Sequence, residues 1–228
     1  MRYAVEAGQR LRPLLTLTVA RVLGSHPQGA MRAAIAVELL HCASLIVDDL
    51  PCMDNDSMRR NRAAVHIEFG EATAVLAAFA LVSLAARSVA DQPGFQMKLL
   101  ATLDCDSLIG GQSLDLALTA QCRDRERHRI TSLKTVPLFE LAVEAGLSNG
   151  TASSAERESL LAFGRRFGIA YQTADDFLDG ETSDYDGVTA QFDLARATLL
   201  PLGRRASQLE DLLDHLNARL REDNRSHR

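Results

Sequence analysis

The chain has 228 residues, 46% hydrophobic but only 5% aromatic, with no Trp. That length can bury a substantial core, and the weight of Ala and Leu favours helices over a β-sandwich or barrel. A net charge of −5 argues against a general nucleic-acid binder, which needs clustered positive charge.

Helical periodicity recurs almost throughout, with no convincing alternation of β-branched residues. "RPLLTLTVARVLG" has Pro13 near its start and Gly24 as a C-terminal cap. "AMRAAIAVELLHCASLIVDD" is apolar around most of its circumference and should lie at the centre of the fold. A helix over 72–90 follows, closed by "DQPG", and then a single run, "FQMKLLATLDCDSLIGGQSLDLAL". "CRDRERHR" reads as a charged connection to "SLKTVPLFELAVEAG". The polar loop "LSNGTASSA" leads to "ERESLLAFGRRFGIAYQTADDFLDG". Leu209, Leu212, Leu213, Leu216 and Leu220 form one stripe on an amphipathic closing helix. With no low-complexity linker and no repeat, residues 1–228 read as one all-α domain of about eight helices.

Cys42, Cys52, Cys105 and Cys122 show no CxxC pair and no zinc-like spacing, and are expected to be buried, reduced thiols in a cytoplasmic protein. No signal peptide is evident. The longest uncharged run, Ala72 to Ala86, has 15 residues, short of the ~20 a membrane span needs. No span is expected.

Chemistry concentrates in two acidic segments. "LIVDDLPCMDNDSMRRNR" ends an oily helix with Asp48, Asp49 and Asp54, then adds Arg59, Arg60 and Arg62. "YQTADDFLD" holds Gln172, Asp175, Asp176 and Asp179, spaced by four or by seven and so on one helical face. Like charges at that spacing repel by a few tenths of a kcal/mol per pair, and the apolar flanks suggest partial burial, which makes repulsion worse. A cation should sit there, and oxygen-only donors suit Mg²⁺.

The ordered set "AGQRLRP", "HCASLIVDDLPCMDND" followed by "RR", "IGGQSLDL", "LKT" and "YQTADDFLDG" resembles the trans-isoprenyl diphosphate synthase family, most of all its bacterial and plant geranylgeranyl diphosphate synthases. The resemblance implies a helical bundle of isoprenoid-synthase type with a central cavity. It also implies a prenyltransferase that condenses isopentenyl diphosphate with an allylic diphosphate such as farnesyl diphosphate, giving geranylgeranyl diphosphate. Asp48, Asp49 and Asp54, with Asp175, Asp176 and Asp179, would bracket a cluster of about three Mg²⁺ ions that assists departure of diphosphate. Asp48, Asp49, Asp54, Asp175 and Lys134 would be catalytic. Arg59, Lys134, Thr135 and Gln172 would serve the allylic diphosphate, and Arg12, Arg60, His41 and Arg10 the isopentenyl diphosphate. His41 lies two helical turns before Asp48 and would face the same cavity. Glu38 interrupts the apolar helix with no assigned role. Ala43 and Ser44, both small, would form a floor that leaves room for a long product.

The resemblance is incomplete. Gln9 stands where the family has a lysine, Asn61 where it commonly has Gly, and the family's first helix has no counterpart. The stretch after Asp179 reads "GETSDYDGVTAQFDLARATLL"; one expected lysine is missing there, and Arg196 falls where another would be. Two other readings follow: a weakly active or inactive paralogue serving as partner subunit of a synthase, and a class I terpene cyclase. The family's habit implies a homodimer, with the 72–90 helix at its interface.

Overall fold

The computed structural model describes residues 1–226, apart from the side chains of residues 120, 121, 123, 124 and 219–226. Twelve α-helices dominate the described residues: α1 Arg2–Val5, α2 Leu11–Val22, α3 Pro27–Asp48, α4 Val65–Phe69, α5 Glu71–Ser88, α6 Pro93–Ala101, α7 Leu108–Ala117, α8 Ala120–Ile130, α9 Val136–Leu147, α10 Ser154–Leu178, α11 Tyr185–Ala197 and α12 Ser207–Ser226. A π-helical turn, Thr131–Thr135, joins α8 to α9, and a 3₁₀ segment, Leu200–Ala206, precedes α12. The all-α expectation holds. The only strands among the described residues are β1, Met58–Arg59, and β2, Arg62–Ala63, a two-residue antiparallel pair.

Local chemistry explains most boundaries. Gly24 takes φ +65° just past α2, and the Ser25 N–H returns to the Ala20 carbonyl; this is the glycine-assisted C-terminal stop that the sequence indicates. At the start of α10, Ser153 accepts from the Glu156 N–H while the Glu156 carboxylate accepts from the Ser153 N–H, a capping box.

Three segments differ from expectation. The run 95–118 is two helices, α6 and α7, because Asp104 takes the Cys105 N–H on its own side chain and the Ser107 N–H on its carbonyl, a local alternative to the helix ladder. "CRDRERHR" lies within α8 rather than forming a connection; Arg and Glu are good helix formers even without an apolar face. The stretch after Asp179 contains α11, started by an Asp184 side chain that accepts the Gly187 N–H. Val188, Phe192 and Ala195 are its buried stripe.

α3 is the central helix, packed on α2, α5 and α9. Ala33, Ala36, Val37 and Leu40 are completely enclosed. Leu209, Leu212, Leu213 and Leu216 of α12 are buried as the stripe predicts, while Leu220 lies outside the described side chains. A row of aromatic rings runs from the core towards one end: Phe163 to Phe167 at 5.5 Å, Phe167 to Phe139 at 5.5 Å, Phe139 to Tyr171 at 5.3 Å. Such pairs add roughly 0.5–1.5 kcal/mol each beyond their area.

By length and composition, α3 and α5 are each apolar enough to cross a membrane, although the uncharged run within α5 is shorter than a span. α3 is mostly enclosed by neighbouring helices, but α5 turns Leu76 (69% exposed) and Phe79 (71%) outward. Only Cys42 is buried among the cysteines; Cys52, Cys105 and Cys122 are exposed and unpaired. The latter three sit on the acidic loop, the 102–107 turn and the polar α8.

The β1–β2 hairpin turns on Arg60 and Asn61, both in the left-handed region at φ 55° and 60°. Two positive-φ residues form the turn whose twist matches the strands, and Asn is among the non-glycine residues that best tolerate it. This accounts for Asn61. Asn61→Val should destabilise the fold by about 1–2 kcal/mol, and Asn61→Gly should be neutral or slightly stabilising; chemical denaturation of the two variants measures both.

Candidate active site

The α3 face bearing Glu38, His41, Ser44, Leu45 and Asp48 lines a cavity of about 370 Å³, with Arg12, Arg60, Lys134, Thr135, Tyr171, Gln172 and Asp175 on other elements. Both acidic segments therefore reach one cavity, through Asp48 and Asp175.

The first segment is shaped by backbone hydrogen bonds at the α3 C-terminus. The Asp54 N–H bonds the Asp48 carbonyl at 2.9 Å, and the Met53 and Asn55 N–H groups bond the Leu50 carbonyl. The Asp48 carbonyl is one of the orphans left where a helix ends. The loop curls back, and the two extra residues between the aspartates are absorbed in the curl. Burial pushes the Asp48 carboxyl up to about 6; Lys134 pulls it back down and Asp54 adds to the rise. A partly desolvated acid beside a second acid is a place for a cation.

Asp49 behaves differently. It is 2% exposed, accepts from Arg59 Nε at 2.8 Å, and shares that arginine with Asp56 at 2.7 Å. Asp49 is thus engaged by Arg59. Burial raises its carboxyl above the usual range, and the Arg59 hydrogen bond opposes the rise.

The second segment splits in the same way. Asp176 is buried, accepts from Gln172 Nε2 at 2.7 Å and from Arg127 at 3.2 Å. Asp175 lines the main cavity, while Asp179 faces an adjoining chamber of about 210 Å³. The i,i+4 spacing put all four residues on one face. Asp176, the most buried of them, lines that adjoining chamber and is paired there with Gln172 and Arg127. Thr135 donates to Gln172 Oε1 at 2.7 Å, so Thr135, Gln172 and Asp176 form a hydrogen-bonded chain.

Lys134 sits in the π-helical turn, a distortion common at functional sites. Its ammonium lies 3.0 Å from Asp115 and 3.5 Å from Asp54, and these acids with Asp48 hold its pKa above the ordinary lysine range despite desolvation. Asp115 of α7 was missed in the sequence. Its only signal was a lone acid one helical turn beyond the "GGQ" of "IGGQSLDL".

The opposite wall is basic. Arg12 is buried at 8% exposure, with its guanidinium carbon 4.3 Å above the Phe139 ring and 5.9 Å from Tyr171. Its Nη1 lies 3.3 Å from His41 Nε2. Burial, then the Arg12 charge, hold the His41 pKa well below 6.5, so the imidazole is neutral and accepts from the arginine. Arg12 Nε and His41 Nδ1 are buried without a hydrogen-bond partner. Buried polar atoms of this kind call for water or ligand.

Glu38 now has a role: it accepts from Arg10 at 2.5 Å and lies 3.8 Å from Arg60. Arg60 also donates to the Ala7 carbonyl, and a Cβ on Gly8 would stand 2.4 Å from its guanidinium carbon. Gly8, at φ +123°, is the residue that lets the arginine pass.

Two expected positions stand apart. Arg196 pairs with Asp214 across α11 and α12 and lines neither chamber. Ala43 is buried in the helical core, and the cavity face one turn before the aspartates belongs to Ser44 and Leu45. The helical phase that carries His41 to Asp48 rotates Ala43 away.

Among the described residues no three acid, imidazole or thiolate groups converge into a preformed metal site. The donor set nonetheless fits Mg²⁺. Asp48, Asp54, Asp175 and Asp179 offer oxygen only, and Mg²⁺ binds through a few carboxylates, waters and substrate phosphates rather than in a protein cage.

Comparison with known proteins accords with this geometry. The family model for polyprenyl synthetase matches residues 1–197. The chain is 37% identical to geranylgeranyl pyrophosphate synthase 10, mitochondrial, of Arabidopsis thaliana, over 97% of this chain and 69% of that protein. It is 38% identical to the geranylgeranyl diphosphate synthase of Pantoea ananas, over 93% and 74%. Among solved structures, an FPP/GFPP synthase from Zymomonas mobilis superposes with a TM-score of 0.84 at 32% identity, covering 94% of this chain and 85% of that one. A geranyltransferase from Legionella pneumophila gives 0.86 at 29%, covering 100% and 86%. With its motifs in order along the sequence and gathered at one cavity, this chain belongs to the polyprenyl synthetase family of prenyltransferases.

Proposed function

We propose that this protein is a Mg²⁺-dependent synthase that condenses isopentenyl diphosphate with an allylic diphosphate, farnesyl diphosphate in particular, to form geranylgeranyl diphosphate. The observation that carries this reading is one cavity of about 370 Å³ lined by acids, Asp48 and Asp175, by the bases Arg10, Arg12, Arg60 and Lys134, and by the apolar Leu45, Leu108 and Leu138.

Isopentenyl diphosphate would take the basic wall. Arg12, Arg60 and Arg10 supply fixed charge, and guanidinium grips phosphate with two parallel hydrogen bonds. The orphaned Arg12 Nε and His41 Nδ1 find their partners there. Glu38 holds Arg10 and Arg60 in place at the expense of one positive charge.

The allylic diphosphate would lie at the acidic wall against Lys134 and Gln172. Asp48, Asp54, Asp175 and Asp179 would hold magnesium, which supplies charge neutralisation for the leaving diphosphate. The allylic carbon–oxygen bond breaks with its electron pair on diphosphate. The isopentenyl double bond donates its electrons to the cation, the new carbon–carbon bond forms, and a proton is lost from the neighbouring carbon. Leu138, Leu108 and the Tyr171 ring keep water from the cation. Keeping charge-stabilising groups preorganised in a dry site is the main catalytic contribution.

A second reading, a subunit working beside a more active synthase, has some support. Gln9 removes one cation from the basic wall, worth on the order of 1–3 kcal/mol for a charge-assisted bond. A relative 37% identical to this chain is named as the large subunit 2 of a heterodimeric geranylgeranyl pyrophosphate synthase in Arabidopsis thaliana. The outward apolar face of α5 is the surface we assign to a second protein chain, in a homodimer or in such a heteromer. Sedimentation of the purified chain as a monomer at micromolar concentration would speak against the homodimer.

Product chromatography after incubation with both diphosphates and Mg²⁺ should yield geranylgeranyl diphosphate, and nothing once EDTA is added. No elongation by the chain alone would favour the subunit reading. In the same assay Ser44→Phe should shorten the product by raising the cavity floor, whereas Ala43→Phe should act through stability, since that side chain faces the core.

The Asp48 carboxyl gives a pH-dependent expectation. Its folded-state pKa, about 6, exceeds the ordinary 3.8, so the folded chain holds the proton more tightly than the unfolded one. Ionised Asp48 therefore lowers stability, by an amount that grows between pH 3.8 and about 6 and is constant above. Without metal, Asp48→Asn should raise Tm at pH 7.5 by roughly 2–6 °C, with the gain vanishing near pH 4; equal Tm at both pH values would contradict a desolvated Asp48.

A further inference from the structure

The second chamber, about 210 Å³, shares Lys134, Thr135 and Gln172 with the main cavity. The two spaces thus meet at the groups given above to the allylic diphosphate. Among the described residues, four acids line this chamber, Asp115, Asp176, Asp179 and Glu181, against two cations, Lys134 and Arg127. Arg127 comes from α8, seven residues before Lys134, close to two helical turns, which brings both to one side of the continuous helix. Nothing in the sequence marked it, since it lies in a run of alternating charges that looks solvated.

Among the described residues, the guanidinium of Arg127 meets two carboxylates of different character, Asp176 and Glu181. Asp176 is buried and lies 3.2 Å away; the Glu181 side chain is 54% exposed and lies 2.5 Å away. An exposed carboxylate is readily returned to water, and its ion pair is weak. A diphosphate is a polyanion with several acceptor oxygens, and Arg is suited to binding it through two donors at once. Between the Asp176 and Glu181 contacts, the one to Glu181 is the one a diphosphate at Lys134 and Gln172 would displace.

We propose that Arg127 is a further diphosphate-binding residue, resting on Asp176 and Glu181 in the substrate-free chain and exchanging Glu181 for an oxygen of the allylic diphosphate. Asp176 keeps hold of the guanidinium throughout and aims it. The proposal rests on the prenyltransferase reading above, and it adds a cation that comes from α8 rather than from either aspartate segment.

Calorimetric titration of the full chain with inorganic pyrophosphate and Mg²⁺ tests it apart from turnover. Arg127→Ala should weaken pyrophosphate at least about tenfold, and Arg127→Lys, keeping charge without the fork, should fall between. Glu181→Gln removes the competitor and should tighten binding severalfold. In turnover, Arg127→Ala should raise KM for the allylic substrate and leave KM for isopentenyl diphosphate unchanged. Unaltered pyrophosphate affinity in Arg127→Ala overturns the proposal. So does weaker binding in Glu181→Gln, the outcome expected if the contact only ties α8 to the loop after α10. If Arg127→Ala does not fold, as judged by circular dichroism, the opposite signs expected for Arg127→Lys and Glu181→Gln decide the matter. Wild-type chain that binds no pyrophosphate with Mg²⁺ overturns the underlying reading and this proposal with it.

Discussion

Several carboxylates must stand close together at the edge of a partly enclosed cavity, and the surrounding structure is arranged around that electrostatic cost. Asp48 carries it most plainly: burial and Asp54 favour its neutral form, and Lys134 opposes them. One acid of each segment is paired with an arginine, Asp49 with Arg59 and Asp176 with Arg127. Asp48, Asp175 and Asp179, which line the cavity and its adjoining chamber, offer oxygen donors suited to a divalent cation. A protein lacking that purpose would gain stability by replacing them, since like charges in a partly dry site repel strongly.

The cations are delivered by backbone segments that are themselves unusual. Arg60 is placed by a left-handed turn residue, Arg10 stands at φ 56° before α2, and Lys134 rides on a π-helical turn. Non-glycine residues at positive φ are held there only when the surroundings over-determine them. Here the surroundings are visible. Arg60 bonds the Ala7 carbonyl through the gap left by Gly8, and Arg10 bonds Glu38 and the Val5 carbonyl. The site is preorganised at the backbone level, which is how charge stabilisation is supplied without rearrangement during reaction.

The basic wall shows how core and site are joined. The aromatic row from Phe163 through Phe167 to Phe139 ends beneath the Arg12 guanidinium. A cation over a ring face gains attraction that partly offsets its desolvation. His41 stays neutral beside it and so adds no repulsion. The same helix, α3, carries Glu38, His41, Ser44 and Asp48 on one stripe and is buried against α2, α5 and α9 elsewhere. Apart from that stripe its circumference is largely apolar and enclosed, which makes it the rigid spine between the two walls.

The sequence by itself determined the helical class, the central place of α3, the two acidic ends and the ordered blocks that mark the family, because these depend on periodicity and on residue types at short range. Helical phase also sent His41 and Asp48 to one cavity. Where contacts depend on elements distant in the chain, only the tertiary structure decided. It showed that Asp49 and Asp176 are consumed by Arg59 and Arg127, that Arg196 pairs with Asp214 instead of reaching the cavity, that Ala43 faces the core, and that Asp115 and Glu38 steady the basic groups. The physical reason is range: spacing along one helix reports which face a carboxylate takes, but not which charge from another helix meets it there.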